Sequence, residues 1–471
     1  MKKLLLTVIF VLSFALALVA CNSDEKPEST TKSTTTTTTS TSTTTTVNNG
    51  AHIDMPDSTK IYSEGLEYVL NRSKDGYIVK GIGDCSDTDI KIPNSYQELP
   101  VVEISTEAFK DCKAICSVEI PETVVGIGVS AFEGCDNLAD ITIGNGVTGI
   151  GNKAFYNCNS LKNVTVPNSV TIMGSAVFGE CNSLESITIP FVGEWNAGKG
   201  GAVHFGHIFG LMPEKSMTKT QCPESLKEVV ITGGTMIGSH AFIGCDSLVS
   251  VTIPDGVTII DSRAFAGCKG LLSLTIPDSV TSIGAGAFRR CSNLTDITLP
   301  DGVTAIEEGT FEQCTSLISV TIPDSVTIIY KQAFSECTSL TSVVIPDNVT
   351  IIDFKAFAFC RKLASVTIGN GVTCIEQEAF FECSSLTDIV IPDGVTSLGL
   401  STFTSCTSLE SIVLPDSLEC FDVGVFGGCT NLKKIYYKGS EAQWNEICND
   451  VFEEGDWINF LPAEIVYNYK G

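Results

Sequence analysis

A phenylalanine followed three residues later by a cysteine recurs thirteen times in this chain, and within each of two runs the step is 23 residues. The first run holds Phe109, Phe132, Phe155 and Phe178; the second passes from Phe242 through Phe265, Phe288 and Phe311 to Phe426. A fixed period of this length marks a stacked repeat array, in which no unit buries its apolar face alone and neighbours supply the rest of the core. It overrides the ordinary inference from 471 residues, which would be about three domains. Length here counts coils.

The coil from Leu271 to Cys291 shows how the period is spent. Leu271, Leu274 and Ile276 follow an L-x-x-L-x-L spacing whose last two members point inward around Thr275, as in a strand. Pro277, Asp278 and Ser279 then turn the chain. Val280 and Ile283, with Gly284 behind them, predict a second short strand on another side, and Ala287, Phe288 and Cys291 predict closure through a helical or 3₁₀ turn. The pattern starts at Ile90, so residues 90–434 are expected to form a solenoid of about fourteen coils of 23 residues, built mostly of short β-strands. Residues 51–89 do not match the repeat; Leu66–Leu70 and Tyr77–Gly81 flank "NRSKDG", a hairpin signal that predicts an N-terminal β cap.

These residues resemble the BspA-like leucine-rich-repeat family of bacterial surface proteins, whose repeat reads L-x-x-I-x-I-P-x-x-[VL]-x-x-I-x-x-x-A-F-x-x-C. The match runs in phase from Ile90 to Cys429. The resemblance implies a leucine-rich-repeat solenoid capped at both ends. Residues 435–471, with "IYYKGSEAQWNEI" and a closing "EIVYNYKG", are similar to the family's C-terminal cap, where Trp444 and Trp457 would cover the last coil. It also implies binding of a host matrix protein, or of a protein or glycan on another microbe.

Ahead of the solenoid, Lys2 and Lys3 precede an apolar run from Leu4 that ends in Leu18-Val19-Ala20-Cys21. This resembles a bacterial lipoprotein signal: residues 1–20 would be removed and Cys21 would carry the acyl chains that hold the protein on the outer face of the membrane. Two chains suffice for stable anchoring at ~0.8 kcal/mol per buried methylene. In residues 21–50 the tract Ser29–Thr46 is almost wholly Thr and Ser, without apolar side chains to offset ordering, and is expected to act as a disordered stalk. No other segment is apolar and long enough to span a bilayer. The net charge of −26 argues against nucleic acid as a partner, since phosphates need clustered Lys and Arg.

Regular cysteines in an exported chain invite a disulfide reading. Coil spacing would bring neighbouring Cα atoms within range, but the parallel side-chain vectors of a ladder oppose the dihedral a relaxed bridge needs. The favoured expectation is buried, unbridged thiols with weak hydrogen bonds to turn amides. Cys85, Cys116, Cys222, Cys374, Cys420 and Cys448 are expected off the ladder, with Cys112 and Cys116 as a candidate local pair. Sulfurs strung along a line do not converge as structural zinc requires. "HFGH" places His204 and His207 at a His-x-x-His spacing without a partnering acid, and no nucleophile motif, phosphate loop or acid–base pair stands out. No catalytic residue, metal or cofactor is therefore expected. Asp255, Asp278, Asp301, Asp324 and Asp347 recur after a strand-ending Pro, as turn formers that could hold cations loosely.

Two places are candidate ligand sites. Thr252, Thr275, Thr298 and Thr321 recur at the outward strand position, beside Ser250, Ser273, Asp296 and Ser319, and form a small, polar, flat face. The rhythm breaks between Phe178 and Phe242, where Ile208-Phe209 is expected in the Ala-Phe slot of a degenerate coil. That insertion, residues 191–225, carries Trp195, His204, Phe205, His207 and Phe209, and loops on a rigid scaffold are where specificity concentrates. Adhesion is the favoured function; a spacer without a ligand, and an enzyme or metal site on the insertion, are the alternatives.

Overall fold

The computed structural model describes residues 62–192, 205–210, 222–422, 424–451 and 463–471, all of them in the compact unit Thr59–Gly471. Cys21 and the Ser/Thr tract belong to the other unit, Met1–Ser58, and lie outside the described residues.

Each coil contributes two strands to parallel ladders stepped by the period. The first strand pairs in register with its copy one coil on, as Ser342–Ile345 does with Ser365–Ile368. The two-residue second strand does the same: Ile328 pairs with Ile351, and Ile351 with Cys374. Alternation decides what is buried, so Val343 and Ile345 point into the core while Ser342 and Val344 face out. Leu271–Pro277 departs from this rule, because no strand forms there although Leu271, Leu274 and Ile276 are buried as expected.

Of the two closures that the sequence predicts for the third side, a helical or a 3₁₀ turn, the chain takes the 3₁₀-type bonding without extending it into a helix. Cys314 donates its amide to the Phe311 carbonyl and Leu317 to that of Cys314, so the chain makes successive four-residue turns. They do not fuse into a helix because the residue before the Ala-Phe pair and the residue before the cysteine take positive φ, as at Gln332 (56°) and Glu336 (60°). A left-handed non-glycine costs about 1–2 kcal/mol. In return those amides point along the stack, Gln332 to the Phe354 carbonyl and Glu336 to that of Ala358. Gly286, Gly309 and Gly424 take the first of these positions without the penalty. Among the described residues the helices are the 3₁₀ turn Phe205–Phe209 and the α-helix Glu441–Val451.

Inside, the motif phenylalanines stack face to face, with centroids 4.9–6.1 Å apart and planes within 13°. Eleven of the thirteen motif thiols donate to the carbonyl of the phenylalanine one coil earlier, Cys314 to Phe288 at 3.1 Å and Cys337 to Phe311 at 3.2 Å among them. The acceptor is thus a carbonyl rather than the amide expected. Ten of these eleven carbonyls, Phe155 being the exception, take their own coil's cysteine amide as well as the next coil's thiol, which uses both lone pairs. The two exceptions open the two runs. Cys112 has no phenylalanine coil before it and faces Lys110 O at 3.8 Å. Cys245 is bonded to Cys222, their Cα atoms 5.2 Å apart. Cys222, expected off the ladder, is therefore a partner of a ladder cysteine, whereas Cys112 and Cys116 are both free.

At the irregular coil the first-strand sheet runs on without a break, Ile187 pairing with Val229 nearly two periods later. The second strand shrinks to a bridge between Val192 and Ile237. The 3₁₀ turn divides one slot between two rings. Phe178 donates its amide to Ile208 O, which puts Ile208-Phe209 in the predicted Ala-Phe place when seen from below. Seen from above, Phe205 occupies it: its amide reaches Ala241 O, and its ring lies 4.9 Å from Phe242, tilted 48°.

Both ends are closed. Glu67–Leu70 and Tyr77–Gly81 form the predicted hairpin, and its second strand pairs in parallel with Leu99–Ile104, so the second-strand sheet begins inside the cap. At the other end Ser440 and Gln443 form a reciprocal capping box that starts the helix. The helix brings Trp444, fully buried, against Tyr437 and Phe421. Glu464–Val466 adds a final parallel strand. Trp457 lies outside the described residues.

Candidate interaction surface

The three sides of a coil differ in what they leave free. Along the second strand, Thr258, Thr281, Thr327, Thr350 and Thr373 each donate a hydroxyl to a carbonyl of the coil before, at 3.1–3.4 Å. Ser279, Ser325 and Ser417 in the turn do likewise at 2.6–2.8 Å. These hydroxyls are consumed by stacking.

The turn side carries the cations. Between Ile231 and Leu432 every Lys and Arg falls within two residues of the Ala-Phe…Cys segment: Arg263, Lys269, Arg289, Arg290, Lys331, Lys355, Arg361 and Lys362. Many bond to the adjacent coil, Arg289 to Glu312 at 2.8 Å, Lys355 to Glu378 at 3.0 Å and Arg361 to Glu382 at 2.9 Å. Burial raises the Glu312 carboxyl's pKa despite Arg289 beside it. The more exposed Arg361–Glu382 pair contributes only about 0–1 kcal/mol.

The first-strand face is the side left open. Thr252, Thr275, Thr298 and Thr321 are all exposed, and their hydroxyls bond to none of the described residues. Thr275 sits in the coil whose first strand is not formed; the other three lie on strands. Followed further at the same step, the column changes character: after Thr321 come Val344, Thr367, Val390, Val413 and Tyr436. Val344 and Val390 are 64% and 55% exposed. Val413 pairs with Tyr436, and Tyr436 with Val466. The Tyr436 ring lies 4.7 Å from Tyr469, with Lys434 6.0 Å from its centre. Sequence reasoning missed this apolar stretch, although stepping by 23 from Thr321 would have reached it.

The insertion residues divide. Trp195 and His204 lie outside the described residues. Phe205 and Phe209 are 3% and 7% exposed and make a T-shaped pair 5.1 Å apart, so their rings serve the core and are withdrawn as ligand contacts. His207 is partly exposed; its carbonyl accepts the Ala176 amide, and burial lowers its ring's pKa. Among the described residues no three His, Cys, Asp or Glu side chains converge as a metal site. The turn aspartates are exposed, and Asp347 accepts the Asn370 amide at 2.8 Å, as a turn former does.

The ladder thiols are poor nucleophiles. Burial pushes Cys291 and Cys360 up to about 12, partly offset by the backbone environment. A thiol that stays protonated at neutral pH packs as a small hydrophobe.

A family model described as a BspA type leucine rich repeat region, in six copies, matches residues 83–194, 220–341 and 327–456. A leucine-rich repeat protein from Bacteroides ovatus is similar in structure, with 26% identity over 86% of this chain and 98% of that one and a TM-score of 0.52. A leucine rich cell surface protein from Faecalibacterium prausnitzii shares 29% identity over 82% of this chain and 96% of that one, with a TM-score of 0.35. The leucine rich repeat protein of T. pallidum shares 30% identity over 49% of this chain and 88% of that one, with a TM-score of 0.30. No curated protein matches the chain.

Proposed function

The chain belongs to the BspA-type leucine-rich-repeat family, and we propose that it is a lipid-anchored adhesin of the bacterial cell surface, binding a protein or glycan of a host matrix or of another microbe. The observation that carries this reading is the division of labour among the faces. Hydroxyls on the second strand and the turn are spent on stacking, while those of Thr252, Thr298 and Thr321 are left to solvent on the first-strand side, Thr252 on the sheet that crosses the irregular coil and the other two on a sheet of their own beyond Leu271–Pro277. A face that contributes nothing to cohesion is available to a partner, and repetition lets many weak contacts add. Cys21, by its lipobox-like setting, holds the protein to the membrane, and the Ser/Thr tract spaces the solenoid from it. A repeat scaffold of this type is a binding framework, so no reaction is assigned to it.

The test is in two parts. Cells expressing the full chain should display it in the membrane fraction with incorporated palmitate, and Cys21→Ser should abolish the label and release the protein. Purified full chain should bind saturably to one or more components of an array of matrix proteins, cell-surface proteins and glycans, weakened when Thr252, Thr298 and Thr321 are changed together to Lys. A protein that stays unlabelled, or binds nothing saturably, would defeat the corresponding half of the proposal.

A further inference from the structure

Resting on the adhesion reading, we infer that the C-terminal stretch of the first-strand face, from Val344 to Tyr436, docks a basic polypeptide segment that carries apolar side chains. Single exposed valines are ordinary on a protein surface. Here they recur at one position of the coil: Val344 pairs with Thr367 on one sheet, and Val390 pairs with the half-buried Val413 on the next, where the column ends on Tyr436. Successive rungs of a parallel sheet are about 4.8 Å apart, so Val390, Val413 and Tyr436 form one ribbon, and the 23-residue step places Val344 in the same column two coils earlier. Ser342, Ser365 and Ser411 beside it are too small to cover it.

Charge selects the occupant. From Ile231 to Leu432 neither the sheet face nor its turn edge holds a Lys or Arg, while Asp388 stands two residues from Val390 and Asp347 lies at the edge of the same coil as Val344; the lysines that follow at the Tyr436 end are each paired with a carboxylate, Lys433 with Glu410, Lys434 with Glu464 and Lys438 with Asp393. An acidic segment, or a second copy of this chain at net charge −26, would be repelled there. A basic one finds carboxylates flanking an apolar ribbon, and aromatic Tyr436 closes the far end as interface anchors do.

The experiment uses the full chain and a labelled peptide of alternating Val and Lys, with a Ser/Lys peptide and a Val/Glu peptide alongside. The Val/Lys peptide should bind saturably, at least tenfold more tightly than either of the others, and V344S/V390S should weaken it at least tenfold with the melting temperature unchanged. Phe354→Ser, on the turn side, should bind as wild type. Equal binding of the Ser/Lys peptide, or indifference to V344S/V390S, would overturn the docking face, because either leaves only general attraction to an acidic protein. An array partner that ignores both the double variant and competition by the Val/Lys peptide also overturns it while adhesion stands. Tight, valine-dependent peptide binding with no array partner at all would sink adhesion and leave the face intact.

Discussion

The run from Phe242 to Phe426 and the coil that precedes it perform the same structural task by different means. In the run the rungs beyond the first repeat the same partners: ring on ring, thiol on phenylalanine carbonyl, left-handed amide on the next coil. At the coil between Ile189 and Glu228 the first two of those devices are replaced, and the second strand with them. Two phenylalanines share one slot, a disulfide stands where a thiol would find its carbonyl, and a single bridge stands for the second strand. The first-strand ladder crosses this coil whole, and the left-handed Ala176 still donates its amide to it, at the His207 carbonyl. One continuous sheet is therefore enough to carry the register past an insertion, and the interior bonds can be rebuilt around it.

The comparison breaks most visibly if the ring column is attacked on both sides of it. Phe311→Ala removes a ring stacked on two neighbours and should cost about 3–5 kcal/mol in urea unfolding. Phe209→Ala, whose ring meets Phe205 edge-on, should cost clearly less; an equal loss would mean that the irregular coil is packed as tightly as the run. Next in size, Cys222→Ser should lower stability by about 3 kcal/mol, and reductant should reproduce the loss in the wild type but not in the variant.

Alkaline pH separates the two regions without mutation. The run's thiols are held protonated when folded, with Cys291 and Cys360 at about 12 against an ordinary 9.0. Because the unfolded chain gives up these protons first, their contribution is complete below pH 9 and is lost as pH rises from there through about 12. Stability should fall over that window, and less steeply in a Cys291→Val/Cys314→Val variant; the bonded Cys222 and Cys245 contribute nothing to the fall. The smallest effect concerns the turns. Gln332→Gly relieves a left-handed non-glycine and should raise stability by about 0.5–1 kcal/mol, whereas the same change at Gln377, whose φ is not positive, should lower it.

Much of this was readable from the chain because a period multiplies weak signals. One Phe-x-x-Cys says little; thirteen in phase place the core, the turn and both strands. What stayed hidden depends on direction rather than position. The phenylalanine carbonyls' second bond requires the left-handed turns, and those fall on residues as varied as Gln332, Lys355 and Phe359, which advertise no such conformation. The disulfide was hidden for a similar reason: Cys222 fits the ladder only after the coil before it has been lengthened. On the candidate surface the outward threonines were legible up to Thr321, and the apolar continuation was passed over because valine in a strand reads first as core.

The left-handed turns also make the run a modular length standard. Each coil from Phe265 to Phe403 presents the same acceptors to one side and the same donors to the other, so an in-frame duplication or loss of one 23-residue unit there leaves every surviving group with a partner. A lineage could lengthen or shorten such a protein by whole rungs, changing its reach and the number of docking positions while the chemistry of each position stays as it was.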